Sequence, residues 1–83
     1  MKTRVVLAQD DEYMFAKNLR MLRQRETPLL SQARLAERLG VCRTTYIGYE
    51  TGSRHAPAFF VSNVARYFGV SADKLLCEKL WKE

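Results

Sequence analysis

Apolar residues recur at helical spacing in five stretches, each bounded by a capping or breaking residue. Phe15, Leu19 and Leu22 predict a first helix over about Asp11 to Gln24, with Asp10, Asp11 and Glu12 placing negative charge at its N-terminus. Glu26-Thr27-Pro28 interrupts it, because a residue before proline avoids the helical region. Ser31 caps a second helix of two turns whose buried stripe is Leu35, Ala36 and Leu39, and Gly40 stops it. A third helix starts at once. Val41 and Tyr46 have staple spacing around an N-cap at Cys42, a poor capping residue. Tyr46, Tyr49 and Glu50 share one side of it. Arg43, Thr44, Ile47, Gly48 and Thr51 share the other, and Gly52 ends it. Pro57 suits the first position of a fourth helix with Phe60, Val61, Val64, Ala65 and Phe68 on its apolar face, ended by Gly69. Val70-Ser71 repeats the Val41-Cys42 device and opens a fifth helix carrying Leu75, Leu76 and Leu80.

The expected fold is therefore all-α, a domain of five short helices over residues 11–79. A Thr/Val-rich arm over residues 1–10, a short strand or a loose segment, precedes it, and residues 80–83 form a tail. At 83 residues the chain has room for one small core and no large cleft. No apolar run approaches the roughly 20 residues of a membrane span, and no signal peptide is recognisable. Two cysteines and one histidine, without CxxC spacing, argue against a disulfide framework, a zinc site or any cofactor. Catalysis finds no nucleophile–base pair and no phosphate-binding glycine loop, so an enzyme is not expected.

Charge sharpens the picture. The net charge is +5, and residues 13–66 hold nine basic and three acidic side chains, net +6. All of the excess sits in the segment with the second and third helices, where a phosphate backbone would be attracted. Two short helices joined by Gly40-Val41-Cys42, with small Ala36 where they cross, form a helix-turn-helix signature. Such a unit projects one polar helix face into the DNA major groove.

From about Phe15 to Leu76 the sequence resembles the helix-turn-helix domains of phage repressors and Cro proteins, the XRE-like, lambda-repressor-like family. The matching residues are Asn18-Leu19-Arg20, Leu22-Arg23, Leu30-Ser31-Gln32, Leu35-Ala36-Glu37, Leu39-Gly40-Val41, Thr45-Tyr46, Tyr49-Glu50, Gly52, Pro57, Ala65, Phe68-Gly69-Val70-Ser71, Asp73 and Leu75-Leu76. The resemblance implies base contacts from Arg43, Thr44, Ile47 and Gly48, the last at a position where relatives often carry a longer base-reading side chain and where glycine offers only close approach. It implies phosphate contacts from Ser31 and Gln32 at the start of the second helix, and from Thr51, Ser53, Arg54 and His55 after the third. It also implies a buried Arg–Glu pair formed by Glu50 with Arg23 or Arg25. Two departures stand out: the turn before Gln32 is two residues longer than the common pattern, and Cys42 replaces the usual Ser or Thr cap.

The expected function is a sequence-specific DNA-binding transcriptional regulator, a repressor that occupies a pseudo-palindromic operator as a homodimer. The dimer would form through Val5-Val6-Leu7 or through Leu80-Trp81. The expected partner is double-stranded DNA rather than a membrane, in a bacterial or phage-infected cytoplasm, at the nucleoid. The alternative is a protein-interaction module on the same fold, such as an antitoxin, for which an exposed Leu80-Trp81 patch would count.

Overall fold

The computed structural model describes residues 8–81, with side chains from Met14 onward. Five helices follow in order: α1 Ala8–Gln24, α2 Gln32–Leu39, α3 Arg43–Thr51, α4 Ala58–Phe68 and α5 Ala72–Cys77. No strand occurs among the described residues. α1 is the long axial helix and packs on α3 and α5; α2 lies on α3, and α4 bridges α5 and α2. The core that joins them is apolar and aromatic. Phe60 sits among Phe15, Tyr46 and Tyr49, with ring centroids at 6.1, 6.2 and 4.5 Å. Leu19, Leu35, Val64 and Leu75 are fully buried around it.

The turns obey the chemistry of their residues. Gly40 adopts φ 77°, a left-handed conformation that costs an L side chain roughly 1–2 kcal/mol. There its N–H donates to Glu37 O, and that of Val41 to Ala36 O, at 3.2 and 3.0 Å. This is a Schellman closure with Val41 packed against the core. Gly69 and Val70 repeat it, Val70 N–H donating to Ala65 O at 3.0 Å. Ser31 and Ser71 cap α2 and α5 by accepting the N–H of Arg34 and Lys74, each at 3.0 Å. Cys42 makes no such cap bond. Its exposed Sγ lies 3.1 Å from Thr45 Oγ1 instead, and that bond lowers the thiol pKa.

Four expectations need correction. α1 begins at Ala8, which takes residues 8–10 out of the expected arm; Val5-Val6-Leu7 lies outside the described residues. Pro57 is the N-cap of α4 rather than its first helical residue, and its carbonyl accepts from Phe60 and Val61. Leu80 is not on α5, which ends at Cys77. Nor is it half of an exposed apolar pair: Leu80 packs against the core. The cause is Asn18, fully buried on α1. Its Nδ2 donates to Leu75 O at 2.9 Å and Glu78 O at 2.8 Å, and its Oδ1 accepts from Leu80 N–H at 2.8 Å. One amide thus ties the end of α5 and the segment after it to α1. Trp81 stays half-buried, with the ammonium groups of Lys17 and Lys79 at 5.1 and 5.5 Å from its ring.

Candidate nucleic-acid interface

At 3.6 residues per turn, Arg43, Thr44, Ile47, Gly48 and Thr51 fall in one sector of α3 about 140° wide. Arg43, Thr44 and Thr51 are exposed and Ile47 is half-buried. The opposite side, Tyr46, Tyr49 and Glu50, is buried. α3 is thus held by one face and presents the other. Beyond it Ser53, Arg54 and His55 are all exposed. Thr51 Oγ1 donates back to Ile47 O at 2.9 Å and lies 3.1 Å from Ser53 Oγ, which binds the loop to the last turn of the helix.

Glu50 anchors this presentation. Each carboxylate oxygen accepts two hydrogen bonds. Oε1 takes Arg23 Nη2 at 3.0 Å and Gln32 Nε2 at 2.8 Å; Oε2 takes Arg23 Nε at 2.8 Å and the Tyr46 hydroxyl at 2.5 Å. Arg23 Nη1 continues to Leu30 O at 3.0 Å. Arg23, not Arg25, is therefore the partner. Arg25 is exposed, with Nη1 3.4 Å from Met21 Sδ. The longer turn before Gln32 leaves the pair in place because Leu30 is buried and the extra residues, including Leu29, are exposed. Burial pushes the Glu50 carboxyl pKa up, and the bonds from Arg23, Tyr46 and Gln32 outweigh it, holding the group below the ordinary carboxylate value. Burial, reinforced by the bond to Glu50, pushes the Tyr46 phenol up. The bond to Glu50 also raises Arg23.

Gln32 thus serves the interior with one N–H. Its amide has a second N–H to offer at the protein surface, where the residue is half-buried. Ser31 uses its oxygen as the α2 cap and keeps its own hydroxyl proton as a donor. Beside them is a cleft of about 550 Å³, lined by Lys17, Arg20, Arg23, Gln32, Glu50 and Thr51. It brings cations of α1 to the first residue of α2 and the last of α3. Sequence reasoning missed Lys17 and Arg20. Their signal is the three-residue spacing of Lys17, Arg20 and Arg23, which puts basic residues in one stripe along α1.

Gly48 corrects another expectation. It belongs to the outward sector by register, yet it is buried. The side chain of Arg54 covers it: a Cβ on Gly48 would lie 2.7 Å from both Cγ and Cδ of Arg54. The base contact expected at Gly48 is blocked by that cover.

Among the described residues no helix is long and apolar enough to cross a membrane, and no cluster of three His, Cys, Asp or Glu is placed to hold a metal. Two curated relatives match. An uncharacterized HTH-type transcriptional regulator of Bacillus subtilis strain 168, YqaE, is 36% identical over 63 residues, 76% of this chain and 53% of that protein. A second from the same organism, YobD, is 35% identical over 63 residues, 76% of this chain and 54% of its own length. The chain spans about half the length of these relatives. The profile of the helix-turn-helix domain family matches residues 15–76, from the first core residue of α1 to α5. The chain belongs to the helix-turn-helix domain family.

Proposed function

We propose that this chain is a sequence-specific DNA-binding transcriptional regulator that acts as a repressor by occupying its operator. The observation that carries the reading is the face of α3 with exposed Arg43, Thr44 and Thr51 and half-buried Ile47, opposite the side held by the Glu50 anchor. In the major groove Arg43 would pair with guanine O6 and N7, Thr44 would reach a neighbouring base edge, and Ile47 would meet a thymine methyl. Ser31, the second N–H of Gln32, Thr51, Ser53 and His55 flank that face and would hold phosphates. Lys17 and Arg20 add charge along the α1 side of the cleft. Names of the relatives support the same reading.

One such domain offers too few base contacts for high specificity, so a homodimer on half-sites about one helical turn apart is expected. The reading places it in a bacterial or phage-infected cytoplasm, on the nucleoid. An exposed Leu80-Trp81 patch would favour the antitoxin alternative, and Leu80 packs against the core, so that patch lends it no support. Selection from a random duplex library at about 0.15 M salt, where non-specific binding is weak, tests the proposal. Enrichment of an inverted repeat is the expected result. Binding without any enriched motif, vanishing as salt rises, would refute sequence reading.

A further inference from the structure

Position 48 shows an exchange of one side chain for another. α3 turns sharply after Gly52, and the chain comes back along the helix it has just left. Arg54 N–H donates to Gly48 O at 3.0 Å. From that anchor the Arg54 stem runs over the bare Cα of Gly48. A Cβ there would stand 2.7 Å from Cγ and Cδ of Arg54, closer than real Cβ contacts come, and a tight 3.0 Å from its Cβ. A side chain rooted at position 48 and the Arg54 stem therefore compete for one volume. In this chain Arg54 has it. Its guanidinium starts one bond beyond Cδ, from the spot where a residue 48 side chain would itself begin. Thr44 lies one turn earlier on the same stripe of α3.

We propose that Arg54 is a base-reading residue, seated on Gly48 so that its guanidinium reaches a guanine beside the bases met by Arg43 and Thr44. The inference rests on the reading of α3 as the helix that enters the major groove. Two physical arguments separate it from the phosphate role expected of a loop arginine. A phosphate accepts a mobile cation, whereas a bidentate guanine contact needs a planar fork held in register. A stem packed on the helix and a backbone tied to Gly48 O supply that register, with less rotamer freedom left to lose on binding. The bare position also explains the glycine, which otherwise weakens a short helix.

The test is motif selection from random duplexes with the full chain and its Arg54→Lys, Arg54→Ala and Gly48→Ala variants. Arg54→Lys keeps the charge and every backbone hydrogen bond but loses the fork. The expected result is loss of guanine preference at one position of each half-site, by about 5- to 150-fold, with the other positions and the salt slope retained. Gly48→Ala, with Arg54 intact, is expected to lose the same position, because the new Cβ displaces the stem. If Arg54→Lys and Arg54→Ala keep every base preference, and Arg54→Ala merely weakens all sequences alike, Arg54 is a phosphate contact and the inference falls alone. If the unmodified chain enriches no motif, the inference falls together with the DNA-reading proposal.

Discussion

Replacing Glu50 by Gln is nearly isosteric, so its cost isolates the hydrogen-bonding of the anchor. The carboxylate has two oxygens that each accept two donors. An amide keeps one oxygen and replaces the other by an NH2 group that accepts nothing. Whichever way the amide turns, two donors lose their acceptor, and one of them is an Arg23 nitrogen. The Arg23 and Glu50 side chains are only 11% and 3% exposed, so water replaces little of what is lost. Removing one partner of such a pair costs about 3–5 kcal/mol. A domain of this size has roughly 4–12 kcal/mol in all, so Glu50→Gln removes a large part of the stability. Urea denaturation followed by circular dichroism reads it, as does a fall in Tm of at least about 12 °C. The pH dependence gives a second signature. The folded-state pKa of Glu50 lies below its unfolded value, so its contribution is complete above that unfolded value, near 4.5, and is lost as pH falls through the folded one. The stability gap between the natural chain and Glu50→Gln must therefore close on acidification below about 4.5. The triple change Arg23→Met, Tyr46→Phe, Glu50→Leu removes the groups that the anchor satisfies except Gln32, which can turn to water, and Leu30 O, which loses its bond from Arg23 Nη1; it should recover part of the loss. A Glu50→Gln cost under about 1 kcal/mol, or a gap that widens in acid, would refute the reasoning.

Other changes separate reading from folding. Arg43 is exposed and no part of the core, so Arg43→Ala should leave the melting curve unchanged. It should cost about 1–3 kcal/mol in DNA affinity and relax one base position, as measured by titration against single-base operator variants. Asn18→Ala removes three hydrogen bonds to the α5 end at about 1 kcal/mol each. A loss of about 2–4 kcal/mol in urea denaturation is expected, with faster hydrogen exchange at the Leu80 amide. Gly40→Ala meets no atom within 4 Å, so its cost should be the left-handed backbone alone, about 1–2 kcal/mol by thermal melting. A larger cost would mean that the turn between α2 and α3 had to rearrange.

Helices were legible in the sequence wherever a local device marked them. Ser31, Gly40, Gly52, Gly69 and Ser71 each act at the place their residue type dictates, and the buried stripe of α2 is the one that the spacing names. What the chain order hid was long-range. Asn18 reads as one more polar residue of α1 until its three partners, near 60 residues away, are brought to it. Leu80 looked exposed for the same reason. The choice between Arg23 and Arg25 depended on how a longer turn is absorbed, which spacing alone does not settle. Gly48 falls in the outward sector of α3 by period, and its cover is invisible in the sequence because Arg54 reaches it from outside the helix.

The anchor would also hold the proposed reading face in place for discrimination between bases. Glu50 draws two donors from α1, both on Arg23, one from α2 and one from its own helix, so the three elements that frame the interface meet at a single carboxylate. Gln32 takes part in that meeting and, in the proposed complex, would also hold a phosphate. A phosphate held by its second N–H would therefore act on an amide already fixed relative to α3. Base readout needs side chains held to within a fraction of an ångström, and loss of the supporting contacts loosens a site without deleting it. Gln32→Ala should accordingly weaken binding to all sequences through the lost phosphate contact. It should also blur the preference set by Arg43, because α2 and α3 no longer share a hydrogen bond. If only overall affinity falls and the Arg43 preference stays sharp, the anchor's role is confined to stability.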